Sequence, residues 1–248
     1  MDFYKKIFKG QFDLAQRDIE EKRTSAFDAQ LFSCFLNAIH GKSTDLEVFA
    51  NREEMNDARS LLIAWITALS RNDYRDLIDL AETHRDNPVA QWLAGFACLR
   101  IRNGKKAEEF YQRCVDLEPA NPLFAWSFGA FYLSTSPVRL YQMARWYRKA
   151  LENGFSNDLL WVIRYLEVFN ALQGSFIKTI IFICIWVGLA IYPPTRLIWG
   201  GFYVIIMLFH YNAIRATFKL QDVNLFRWLI FRAIIFSVAP MAFVFLWG

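Results

Sequence analysis

The sequence predicts an all-α protein: an N-terminal α-solenoid of antiparallel helix pairs over 1–174, followed by about three transmembrane helices over 175–248. Three observations predict it. Apolar residues recur at helical spacing, in segments of ~11–17 residues between short polar or glycine breaks. No stretch alternates as a strand would. The last third then changes character: 176–192, 197–214 and 226–247 are apolar runs of about the ~17–25 residues a helix needs to cross a bilayer. Inside those runs only Lys178, Arg227 and Arg232 are charged.

In chain order, Phe3, Tyr4, Ile7 and Phe8 mark a first short helix flanked by Lys5, Lys6 and Lys9, and Gly10 breaks it before a second over Phe12–Glu21. The alternative for the first is a basic amphipathic segment lying on an anionic membrane. Phe27, Leu31, Phe32, Phe35, Leu36 and Ile39 share one face of a helix over Ser25–His40. Ser43-Thr44-Asp45 supplies N-cap chemistry for Ser43–Glu53. A helix over Asn56–Ser70 carries Leu61, Leu62, Trp65, Ile66 and Leu69, and Asn72-Asp73 is expected to cap Tyr74–His84.

From here the chain repeats. Asn87-Pro88 recurs as Asn121-Pro122, 34 residues on, and the same offset carries Trp92 to Trp126, Gly95 to Gly129 and Leu99 to Leu133. With two extra residues in the Ser134–Arg139 loop, Tyr111 maps to Tyr147 and Cys114 to Ala150. Gly95, Ala107, Tyr111, Cys114 and Pro119 are spaced as the small, aromatic and proline positions of the tetratricopeptide repeat, which this segment resembles. In the next unit Met143 replaces the alanine, and Ala144–Gly154 (ARWYRKALENG) is similar to the related Sel1-like repeat. The resemblance covers 88–154 and implies a right-handed superhelix of helix pairs. It also implies a concave groove lined by Val89, Trp92, Phe96, Leu99 and Arg100, then Leu123, Trp126, Ala130 and Leu133. An apolar, aromatic groove of that kind suits an amphipathic helix or extended apolar peptide. The same aromatics are equally open to being covered by the N-terminal helices or by a second copy. A stack of such units needs an end cap, and Asn157–Leu172 with Leu159, Leu160, Ile163, Leu166, Val168 and Phe169 is expected to close it.

Net charge is +4, but six of the basic residues and a single acid, Asp222, lie in 175–248, leaving 22 basic against 23 acidic residues in 1–174. The basic balance therefore belongs to the membrane tail and gives no nucleic-acid signature. The composition is 55% hydrophobic, above the ~45–50% usual for a soluble domain, and the excess is in the tail. Cys34, Cys98, Cys114 and Cys184 lack ligand spacing and are expected to be buried thiols. The opening residues carry no secretory pattern. Arg215, Lys219 and Arg227 flank the loop between the second and third spans. Positive charge then puts that loop and the N-terminal domain in the cytoplasm and the C-terminus across the membrane, as in a bacterial inner membrane. Pro193-Pro194 sets a turn between the first two spans, and Pro240 a kink in the third. Asp222 is expected to be exposed in its loop. Arg232, His210 and Lys178 are the intramembrane polar candidates, set against simple snorkelling to the interface.

No P-loop, dinucleotide, zinc-protease, hydrolase or kinase motif is present, and no cofactor or metal site is expected. Two functions follow as expectations. The first is a membrane-anchored scaffold that recruits a protein or peptide partner, or a copy of itself, to a bilayer. The second is an oligomeric membrane effector, pore-forming or disruptive, gated by the repeats.

Overall fold

Helical periodicity in the sequence becomes helix throughout the computed structural model, which describes residues 3–39, 57–135, 139–173, 196–220 and 222–234, with isolated positions between them. The protein is all-α. The helices described over their full length are α1 Phe3–Ile7, α2 Phe12–Glu20, α3 Ala26–Ile39, α4 Asp57–Arg71, α5 Arg75–Thr83, α6 Pro88–Arg100, α7 Gly104–Leu117, α8 Pro122–Ser134, α9 Leu140–Glu152, α10 Leu159–Gln173, α11 Arg196–Lys219 and α12 Val223–Ala233. The chain forms two compact units, Met1–Phe131 and Tyr132–Gly248. The division falls within α8, and in the second unit α9 packs on α10 and α10 packs on α11.

In the first unit consecutive helices pack on one another: α1 on α2, α3 on α4, α5 on α6, α6 on α7. The repeated Asn-Pro is a repeated cap. Asn87 Oδ1 accepts from the Val89 and Ala90 amides at 3.0 and 3.2 Å, and Asn121 Oδ1 accepts from Leu123 N at 3.0 Å. Each cap satisfies donors that a helix start leaves open, while Pro88 and Pro122 occupy the first helical position, where no amide is needed. Before α5 the capping expectation shifts. Tyr74 is the N-cap without a side-chain bond. Asp73 instead accepts from Arg75 N at 3.2 Å, and Asn72 takes the left-handed turn at φ 52°.

The predicted helix over Ser43–Glu53 and the turn at Pro193-Pro194 lie outside the described residues, as do Lys178, Pro240 and most of 176–192. Among the described residues no helix is long and apolar enough to cross a membrane. The stretch predicted as the second span is α11, 24 residues long. Its C-terminal half carries His210, Asn212, Arg215, Thr217 and Lys219, which lower its apolarity. The predicted third span is described only to Ile234.

Candidate functional site

The inner helices of the first unit place their aromatic residues in a continuous ladder. The Phe35 and Trp65 ring centroids are 4.5 Å apart. Trp65 meets Trp92 edge-on at 4.7 Å and 88°, and Trp92 stacks on Phe124 at 6.0 Å. Trp92 donates its indole N–H to Ser127 Oγ at 2.9 Å, so its one polar atom is satisfied inside the core. The nine expected groove residues therefore divide. Trp92, Leu123 and Leu133 are buried. Val89, Phe96, Leu99, Trp126 and Ala130 are half-buried, and Arg100 is exposed with its guanidinium 5.1 Å over the Phe96 ring. Trp92 packs against Trp65 of α4.

The small residues act where the repeat spacing puts them. A Cβ at Gly95 would sit 3.0 Å from Tyr111 Cδ1, so a side chain there would require the Tyr111 ring to give way. Ala107, Tyr111 and Cys114 are buried, and the Cys114 thiol donates to Tyr111 O at 3.2 Å. Tyr111 stacks on Phe128 at 5.9 Å and touches Phe131, filling the gap to α8. Gly129 is buried and Pro119 is exposed between α7 and α8. In the second unit Tyr147 and Ala150 are fully buried. Cys98 is buried as well, but Cys34 is half-buried and Cys184 exposed, so only two of the four free thiols match the expected burial.

Three features of the first unit escaped sequence inspection. Tyr4, Asp28 and Arg59 join α1, α3 and α4. Arg59 donates to both Asp28 oxygens, Nε to Oδ1 at 3.0 Å and Nη2 to Oδ2 at 3.2 Å, and Tyr4 donates to the same carboxylate. Burial pushes the Asp28 carboxyl up, but bonds from Arg59, Tyr4 and Ser25 outweigh it and hold it below its usual range. Gln91, fully buried, donates from Nε2 to Ala81 O at 2.8 Å and so closes the C-terminal turn of α5. Asn121 Nδ2 donates to Phe8 O at 3.2 Å across 113 residues. A buried glutamine on an otherwise apolar α6 was the available signal for the second; the other two join residues far apart in sequence.

The second unit holds a buried polar centre. Tyr165, on α10, is fully buried, and its hydroxyl lies 3.2 Å from His210 Nε2 on α11. His210 is 1% exposed, and its Nδ1 lies 2.9 Å from Ile206 O. A carbonyl only accepts, so Nδ1 carries the proton and Nε2 accepts from Tyr165. Burial pushes Tyr165 up to about 12, against the lowering effect of Arg232, so the hydroxyl keeps its proton to donate. Arg232, on α12, stacks its guanidinium 4.1 Å over the Trp228 ring. The structure thus brings together two of the three intramembrane candidates, Arg232 and His210, through Tyr165. Tyr165 belongs to the α10 stripe with Val162 and Leu166, and its polar tip on that stripe was the available clue.

Asp222 corrects its expectation. It is not a loop acid in solvent: it is half-buried and N-caps α12, its Oδ1 accepting from Leu225 N at 2.9 Å. Among the described residues no group of three His, Cys, Asp or Glu converges as a metal site. The chain matches no family model, no curated protein and no solved structure.

Proposed function

We propose that this chain is a membrane-attached scaffold of tetratricopeptide type, in which the first unit offers an interaction surface and the second holds it at a bilayer. The observation that carries the proposal is the outer face of α11. Phe202, Val204, Ile205, Leu208 and Tyr211 are all at least half exposed over consecutive turns, a larger apolar surface than water tolerates without a partner. Polar side chains on this helix turn back onto its own backbone: Asn212 Nδ2 donates to Leu208 O at 2.9 Å and Thr217 Oγ1 to Ile214 O at 2.8 Å. Such back-bonding is how hydroxyls and amides are accommodated where water is excluded. Alkaline carbonate washing of membranes from cells expressing the full chain tests the attachment. The protein stays in the pellet; release into the supernatant overturns the proposal.

For the partner, the half-buried part of the inner face (Phe96, Leu99, Trp126) is the docking surface, with Arg100 at its edge. The double variant Phe96→Ala/Trp126→Ala loses the co-purifying partner or second copy and keeps its place in the membrane. The second function, a membrane effector, is favoured by the Tyr165–His210–Arg232 centre, since polar groups deep in apolar helical packing mark conduction or gating sites. It predicts that expression depolarises cells and that Arg232→Leu relieves the effect.

A further inference from the structure

The second unit carries eleven basic residues against four acids, while the first carries 17 against 20. Charge of one sign on that scale favours association with an anionic surface. The basic residues concentrate where α11 ends and α12 begins. Arg215, Lys219 and Arg227 are all exposed there. Phe218, between the first two, is 74% exposed, and Val223 is exposed beyond the turn. Apolar side chains projecting among lysine and arginine are the pattern of a surface that rests in lipid headgroups. The acids are disposed so that they leave this patch cationic. Asp222, the only acid after residue 167, turns inward to cap α12. Glu167 pairs with Arg148, both of them exposed. The half-buried Asp158 meets the exposed Lys219 at 3.2 Å, so this lysine divides its charge between Asp158 and the patch, while Arg215 and Arg227 carry theirs outward.

We infer that the α11–α12 turn is a docking surface for anionic phospholipid headgroups, with Arg215, Lys219 and Arg227 binding phosphate and Phe218 set among the upper acyl carbons. The inference rests on membrane attachment and adds the class of lipid. A bilayer of zwitterionic lipid would accept the apolar face of α11 equally well; only the cationic turn distinguishes the two lipids.

The test uses the detergent-solubilised full chain, offered equal amounts of phosphatidylglycerol and phosphatidylcholine in mixed micelles. Lipid retained after gel filtration is quantified by mass spectrometry. The wild-type protein retains phosphatidylglycerol in at least about fivefold excess, the factor one cation at a membrane surface contributes. Arg215→Gln/Lys219→Gln/Arg227→Gln retains the two lipids equally. All three side chains are exposed, so the variant folds. The charge-conserving Arg215→Lys/Lys219→Arg/Arg227→Lys keeps the excess, and about 1 M salt, where screening reaches within ~3 Å, removes it from the wild type. Equal retention by the wild type, or an undiminished excess in the glutamine variant, overturns the inference and leaves membrane attachment standing. Retention of neither lipid overturns both.

Discussion

The two units use the same element but leave different side chains exposed on it. In the first, α7 turns Ala107, Phe110, Tyr111, Cys114 and Val115 inward and shows lysine, glutamate and arginine to water. In the second, α11 buries His210 and Thr217 and shows Phe202, Ile205 and Leu208. The difference teaches that burial follows the solvent a helix is meant for. A helix facing water hides its apolar stripe; the exposed Phe202, Ile205 and Leu208 of α11 are what the proposed bilayer would cover, while Arg215 and Lys219 stay exposed at its C-terminal end.

The largest effect should come from one deletion made in both regions. Phe35 is fully buried against Phe12, Phe32 and Trp65, and Phe35→Ala should cost ~3–5 kcal/mol by denaturant titration of the first unit's unfolding. Phe202 is 55% exposed, and Phe202→Ala should leave unfolding of the full chain in lipid unchanged. A comparable loss at Phe202 would show that its side chain has a protein neighbour and would break the contrast.

Next in size is the Tyr4–Asp28–Arg59 cluster. Both charged side chains are 13% exposed, so Asp28→Asn strands Arg59 and should cost about 3 kcal/mol, less than the Phe35 deletion at its upper range. The folded carboxyl lies below its unfolded value of about 3.9. Its stabilising contribution is therefore present above that value and disappears as pH falls through the depressed folded one. Unfolding of wild type and Asp28→Asn should converge in strong acid; a constant gap would remove Asp28 as the cause.

The smallest expected effect is at Gly95. A methyl group there meets the Tyr111 ring at 3.0 Å, and Gly95→Ala should cost about 1–3 kcal/mol, reduced if Tyr111→Leu, which has no ring, accompanies it and unchanged by Tyr111→Phe, which keeps the ring carbons. Gly200 has nothing within 4 Å of such a methyl, so Gly200→Ala is the matched neutral control in the second unit.

Local information in the sequence reached far. Helix spacing placed α2, α3, α4, α5 and α10 within a few residues, and Asn87-Pro88 and Asn121-Pro122 marked two further starts, because caps and stripes depend on neighbours along the chain. The burial of Trp92 was not legible: it depends on Trp65, 27 positions earlier, turning onto the same spot. Asp222 misled because a charge in a short loop looks solvated until the helix behind it supplies an amide. His210 was visible as an anomaly in an apolar run, while its partner Tyr165 passed as one more large residue on α10.

The bond from Asn121 to Phe8 imposes an order on biosynthesis. The first helix leaves the ribosome more than a hundred residues before the amide that fastens it. At roughly 5–20 residues per second that interval is on the order of ten seconds. Until then α1 is held by its packing on α2 and by Tyr4's bonds with Asp28 and Arg59, and the Asn121 amide is the last of these ties to be made.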